Sequence, residues 1–259
     1  MQKSRNAFTL VELAIVLVVL GLLTGGIIAG QSLLRSAQIR DVTADIARYI
    51  QATNSFRTEF RNLPGDMPNA TSYWGAQDAT PATCRVTAST GEATCNGNGD
   101  GIISAYAAGS NELFRFWQHL ANAGLISGSY NGVAGGALAY EATLANAPAG
   151  KIPGTIFSFF SWGSATPAAS FFTVPTLYNN TLIFGTMNAA SWPSFAALWP
   201  EEAASIDKKT DDGWPGMGKI VAYPVSTCTL AGSSADTTAA YRLTTKSNAC
   251  VLMLPNAFN

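Results

Sequence analysis

The chain has 259 residues, enough for one domain or slightly more. Its 15 Lys and Arg nearly cancel its 16 Asp and Glu, and only 12% of residues are charged, which argues against direct nucleic-acid binding, since that needs a basic face. One histidine leaves little room for most zinc enzymes or for a Ser-His-Asp hydrolase.

The first element is an apolar run. Lys3 and Arg5 precede it, and from Phe8 to Ala29 the only formal charge is Glu12. As a helix this run is roughly 33 Å long, enough to cross a hydrocarbon core. It is too long for the ~7–15-residue apolar region of an ordinary cleaved secretory signal. The two leading cations favour a cytoplasmic N-terminus. A carboxylate inside a bilayer is costly, so Glu12 is either retained for function or snorkels to the headgroups.

The stretch Ala7-Phe8-Thr9-Leu10-Val11-Glu12-Leu13 closely resembles the N-terminal signal of type IV pilins and of the pseudopilins of type II secretion. The resemblance implies that a prepilin peptidase cuts between Ala7 and Phe8 and that Phe8 is then N-methylated. Residues 1–7 become a leader, and residues 8–29 a transmembrane and assembly helix. Ala7 stands where the family most often has Gly. Glu12 becomes the fifth residue of the mature chain, an acid with no partner in the monomer that meets the N-terminal amine of a neighbouring subunit. The implied partners are the peptidase, other pilin or pseudopilin subunits and an inner-membrane assembly platform. The implied place is the bacterial inner membrane, crossed once with the head in the periplasm, and then a pilus or pseudopilus.

Residues 30–61 continue the helix in amphipathic form. Ile39, Val42, Ile46, Tyr49, Thr53, Phe56 and Phe60 recur at spacings of three and four, and most charges, Asp45 among them, lie off this stripe. Pro64 is expected to end the helix. Gly21, Gly25, Gly26 and Gly30 allow close helix contact or local melting. The stripe is expected to pack on a globular head, residues 62–259. "FRNLPGDMPNATSYWG" resembles the helix-to-head junction of a bacterial subgroup of pilin-like proteins. The chain from Pro64 to Thr94 reads as loop.

The four cysteines fall as two near pairs, Cys84 with Cys95 and Cys228 with Cys250. In an exported head two local disulfides are the simplest pairing. The alternatives are free thiols or a zinc site, and no pair has CxxC spacing. Cys95 leads into Asn96-Gly97-Asn98-Gly99-Asp100-Gly101-Ile102, which has oxygen side chains at the first, third and fifth positions, as in the front half of a calcium loop. Asn96, Asn98, Asp100, the carbonyl of Ile102, Ser104 and, from the next helix, Glu112 are the candidate ligands. The twelfth position is Ala107 rather than Glu. A Gly/Asn-rich turn held by backbone and Asx bonds is the competing reading. A second cluster, Asp207, Asp211 and Asp212, sits beside Lys208 and Lys209, and reads as a helix end and turn more readily than as a cation site.

Farther on, Asn111 to Gly124 reads as a helix with Leu113, Phe116, Trp117, Leu120 and Ala121 on its apolar face and His119 at the edge. Ile156–Phe160, Thr181–Phe184, Lys219–Pro224 and Cys250–Leu254 read as strands, and Ser191–Ser205 as a short helix. The expected fold is α+β and pilin-like: a long N-terminal helix packed on an antiparallel sheet, with extra loops and short helices. Trp162, Trp192, Trp199 and Trp214 fall in loops, as core packing or as an exposed sugar- or protein-binding surface. The resulting functional expectation is a non-enzymatic, minor pilin or pseudopilin subunit. The alternative is a surface carbohydrate-binding protein or enzyme on a pilin-like stalk.

Overall fold

The computed structural model describes residues 9–80, 84, 86–89, 91–104, 112–136, 140–161, 170–173, 178–188 and 191–258. Ala7, Phe8, Ala107, Asn111 and Trp162 lie outside them, as does the side chain of Phe160.

Helix α1 runs from Leu10 to Phe60, 51 residues and so roughly 75 Å. Thr9 starts it: its side chain accepts the Glu12 N–H, and the Glu12 carboxylate accepts the Thr9 N–H, a capping box. Its end differs from the expectation built on Pro64. The helix stops at Arg61, which takes a left-handed conformation (φ 58°) and donates its N–H to the Arg57 carbonyl. The proline comes three residues later, after the backbone has already turned.

The two halves of α1 have different surroundings. From Leu10 to Leu34 its large apolar side chains are exposed. From Ile39 onward Val42, Ile46, Tyr49, Ala52, Thr53 and Phe56 are buried against the head. Asp45 is also buried on this stripe, which corrects its placement off the face. Arg48 pairs with one Asp45 oxygen at 3.0 Å, and burial raises the pKa of the carboxyl.

Helix α2 is a single turn, Thr71–Trp74, inside the stretch expected to be loop throughout. Helix α3 spans Glu112–Asn122, and Gly124 follows at φ 69° with its N–H on the Ala121 carbonyl. It is buried all round rather than on one face. Phe114, Arg115, Gln118 and His119 are enclosed along with Leu113, Phe116, Trp117 and Leu120, because the loop closed by Cys84–Cys95 covers its outer side.

The sheet is antiparallel, in the order β1-β2-β4-β3, with β1 Thr155–Phe160, β2 Thr181–Thr186, β3 Val221–Tyr223 and β4 Val251–Leu254. Register assigns the faces. Phe157, Phe184, Leu252 and Ala222 are cross-strand neighbours on the face toward α1 and α3, where Phe157 meets Tyr49 and Phe159 meets Trp117. The alternate residues Ile183, Met253 and Val221 face the other way. There Phe171, Phe172, Tyr178 and Trp192 cover them as a second, smaller core. That layer explains why β2 and β4 are apolar on both faces.

Helix α4 is Pro200–Thr210, not the expected Ser191–Ser205. Proline suits the first helical position, Glu201 and Glu202 occupy the first turn, and Lys208 and Lys209 the last, so the charges follow the helix dipole. Arg35 of α1 bonds Glu202 at its start, while Thr210 at its end lines a cleft shared with Ile50 and Asn54, so α4 runs alongside α1 in the same direction. The turn Val225–Cys228, α5, links β3 to a disulfide with Cys250, Cα–Cα 4.9 Å; Cys84 and Cys95 are joined at 5.9 Å. The loop tryptophans divide: Trp192 is core, whereas Trp199 and Trp214 are 38% and 43% exposed.

Phe56 is fully buried between Phe60, Trp74 and His119 at the far end of α1. Phe56→Ala is expected to destabilise the head by about 3–5 kcal/mol. Urea unfolding of the detergent-solubilised chain, with both disulfides intact, measures this; a loss below about 1 kcal/mol would show that the stripe does not anchor the head.

Candidate functional site

Three groups of residues could carry function: the start of α1 and two carboxylate clusters in the head. At the start of α1, Thr9 donates both its N–H and its hydroxyl to one Glu12 oxygen, each at 2.8 Å. Glu12 therefore has a partner within its own chain, which corrects the expectation of a partnerless acid. The partner is neutral, and the carboxylate meets no counter-charge among the described residues. Both residues lie on the mature side of the expected cut, so the capping box would outlast removal of the leader. Leu10–Phe60 is also the one described helix long and apolar enough to cross a membrane, and none of its most apolar window is buried.

The loop after Cys95 is organised by two acids from elsewhere. Buried Asp66 accepts the N–H groups of Gly99, Asp100 and Gly101 at 2.7, 3.1 and 2.8 Å. Burial pushes its pKa up, and these backbone donors oppose the shift. Glu112 accepts the Asn98 and Ser104 N–H groups at 3.0 and 2.9 Å. Within the loop Asn98 and Asp100 act as Asx turns, accepting the N–H two residues on. Asn96 accepts the Thr71 N–H of α2. Gly97 packs against the Asp66 backbone so closely that a Cβ would collide with it.

Of the expected ligand set, Asp100 and Glu112 come together; Asn96, Asn98 and the Ser104 N–H are engaged in holding the loop. The residue that joins them is Asp66, whose carboxylate lies within 4.8 Å of the other two. The sequence reading missed it because Pro64-Gly65-Asp66 reads locally as a turn, and the partner loop starts some thirty residues on.

The second cluster is Asp207, Asp211 and Asp212, again within 4.8 Å of one another. Each acid does a structural task. Asp207 accepts from the Tyr241 hydroxyl at 2.7 Å and from the Gly213 N–H at 3.2 Å. Asp211 accepts the Lys219 and Ile220 N–H groups, and Asp212 that of Trp214. Either cluster could coordinate a divalent cation through its carboxylates, and neither geometry selects calcium. His119 belongs to neither. Its Nδ1 accepts the Gly65 N–H, its Nε2 meets the Thr94 hydroxyl, and burial, aided by nearby Arg115, pushes its pKa down to about 3. It is a neutral strut in the core.

Residues 2–28 match the family model described as the prokaryotic N-terminal methylation motif. No curated protein and no solved structure gives a significant match.

Burial raises the Asp207 pKa to about 7, against the opposing bonds from Tyr241 and Gly213. A carboxyl whose folded pKa exceeds its unfolded value destabilises the fold once ionised. Its penalty is absent below about pH 4, grows as pH rises, and is complete above about pH 7. Asp207→Asn is therefore expected to gain melting temperature relative to wild type as pH rises from about 4 to 8. Melts of both proteins in chelator across that range provide the check, and a pH-independent difference would contradict a buried, titrating Asp207.

Proposed function

We propose that this chain, a prepilin-type subunit of the pilin and pseudopilin class, is cut between Ala7 and Phe8 and enters its filament with Glu12 facing the new amine of a neighbour. It is a non-enzymatic subunit: the peptidase acts on it, and its own N-terminal helix carries it into assembly. The observation that carries this reading is the division of α1, a bare apolar half ahead of a half clamped to the head. The bare half needs a bilayer before assembly and other subunits' helices afterwards. Both environments exclude water, so one apolar surface suits both.

Glu12 fits the exchange between them. In the monomer the Thr9 donors hold its carboxylate, which lets it enter the membrane with hydrogen bonds but no counter-ion. Cleavage before Phe8 creates an amine that methylation leaves able to carry charge. A neighbour's amine then supplies what Thr9 cannot, an opposite charge in a medium of low dielectric. An inner-membrane platform extracts the subunit, with the N-terminus on the cytoplasmic side and the head in the periplasm.

The large head supports a minor, tip-placed subunit over a bulk one. A head built from a four-stranded sheet with two apolar layers and added loops is hard to repeat along a tightly packed filament. At a tip, exposed side chains such as Tyr73 and Trp214 would be free to meet a partner.

N-terminal analysis of the membrane-extracted protein should give methylated Phe8 as the first residue. A mature chain that began at Met1 would reject the reading. Glu12→Ala is expected to insert normally yet reach sheared filaments at least about tenfold less than wild type, as loss of a buried charge pair predicts. Unchanged incorporation would remove the pairing. Quantifying the subunit in purified filaments tests the tip placement, which fails if this is the most abundant component.

A further inference from the structure

We propose that the base of the head, around a groove between the exit point of α1 and the start of α4, seats on the anionic headgroups of the bilayer that holds α1. This rests on the membrane-span reading above. No charged residue occurs between Glu12 and Arg35. Leu33 and Leu34, just before Arg35, are 72% and 67% exposed. Arg35 thus marks the step on α1 from apolar to polar surface, the level at which a bilayer's headgroups begin.

Arg35 does not turn to water. Its Nε and Nη2 each bond a different Glu202 oxygen at 2.6 Å, and Nη2 also reaches the Ala197 carbonyl at 3.1 Å. Such a bidentate pair fixes orientation as well as distance. It pins the start of α4, and the segment leading into it, at the exit point. The clamp fixes the start of α4 relative to α1 but not the tilt of α1 in the bilayer, so how closely the groove meets the headgroups is left to its own charge.

A groove of about 830 Å³ opens there, between Ile28 and Arg40 on one wall and Trp199 and Lys209 on the other. Trp199 is partly exposed at its rim, and Phe195, four residues earlier, is exposed. Indole beside a membrane span is the side chain expected at the interface. The acids that line the groove are already neutralised: Glu202 by Arg35, and Glu201 by Lys246 at 2.7 Å. Arg40 and Lys209 are exposed, and neither has an ion-pair partner among the described residues. The uncompensated charge at the groove is positive, which complements the phosphates of anionic lipid. The uncharged stretch of a second copy's α1, Leu13 to Leu34, would bring an apolar surface to these cations and no acid to match their charge.

The test uses the full chain reconstituted in phosphatidylcholine vesicles, with and without about one-third phosphatidylglycerol, carrying a nitroxide on the headgroup of a tracer lipid. Subtracting the Trp199→Phe signal isolates Trp199 from the other tryptophans. Quenching of Trp199 is expected to be strong in the anionic vesicles, weak in the neutral ones, and suppressed by about 1 M salt. Arg40→Ala and Lys209→Ala are each expected to lower the docked fraction's association constant about fivefold. Both residues are exposed, so the head should fold without them. Equal quenching in the two lipids, with the chain still embedded, would overturn the proposal and leave the membrane span standing. Quenching independent of lipid charge, with Trp199 shielded more as protein density rises, would assign the groove to a second copy and overturn it too. Release of the chain by a salt wash would remove the membrane span itself, and the proposal with it.

Discussion

A single unbroken helix has to satisfy two surroundings, and the rest of the molecule follows from that constraint. The apolar half of α1 has no water-compatible face, while the other half buries a single stripe, from Ile39 to Phe56, against the head. The junction between them needs a fixed point, since a free joint would let the head swing on a long lever. Arg35 provides it by reaching sideways to Glu202 and Ala197. From there Val42, Ile46, Tyr49 and Phe56 are buried in the head's main core, where Tyr49 meets Trp117 of α3 and Phe157 of β1, and Phe56 meets His119 of α3. At the far end Arg57 bonds the Phe258 carbonyl, which ties the last turns of α1 to the chain's C-terminal segment. The head is therefore fastened to α1 near both ends of the amphipathic half, with aromatic packing between.

The head itself depends on buried carboxylates that replace regular backbone pairing. Asp66 and Glu112 accept five N–H groups of the loop that follows Cys95, and Asp207 and Asp211 hold the turn after α4. A loop-rich domain must satisfy its backbone donors somewhere, and an ionised carboxylate is a strong acceptor for several at once. The arrangement has an electrostatic consequence. Acids gathered to hold turns also gather negative charge, so both clusters approach the composition of a cation site. Burial then lifts the Asp66 and Asp207 pKa values, and the stability of the head becomes linked to pH.

Much of the architecture was legible in the chain alone because the signals were local. The apolar run bearing Glu12, the three-and-four spacing of Ile39 to Phe60, and the β-rich segments near residues 156, 182, 221 and 251 each declare their structure within a few residues. The two near cysteine pairs are joined locally, as short loops favour. What was missed was decided at a distance. Asp45 looked like a solvent-facing charge until the head covered it. His119 looked like an edge residue until Gly65 and Thr94 closed over it. Asp66 looked like a turn residue until a loop more than thirty positions away folded onto it.

The sequence by itself determined the helix, its membrane-length apolar half, the acid at its start and the strands of the sheet. Hydrophobic period and turn chemistry act over one or two turns of backbone and need no partner to be read. Only the tertiary structure decided which acids meet, that the sheet carries a second apolar layer, and that Arg35 holds the base of the head just after the uncharged stretch of α1 ends. Those outcomes depend on which distant segments share a face. Periodicity along the chain carries no record of that.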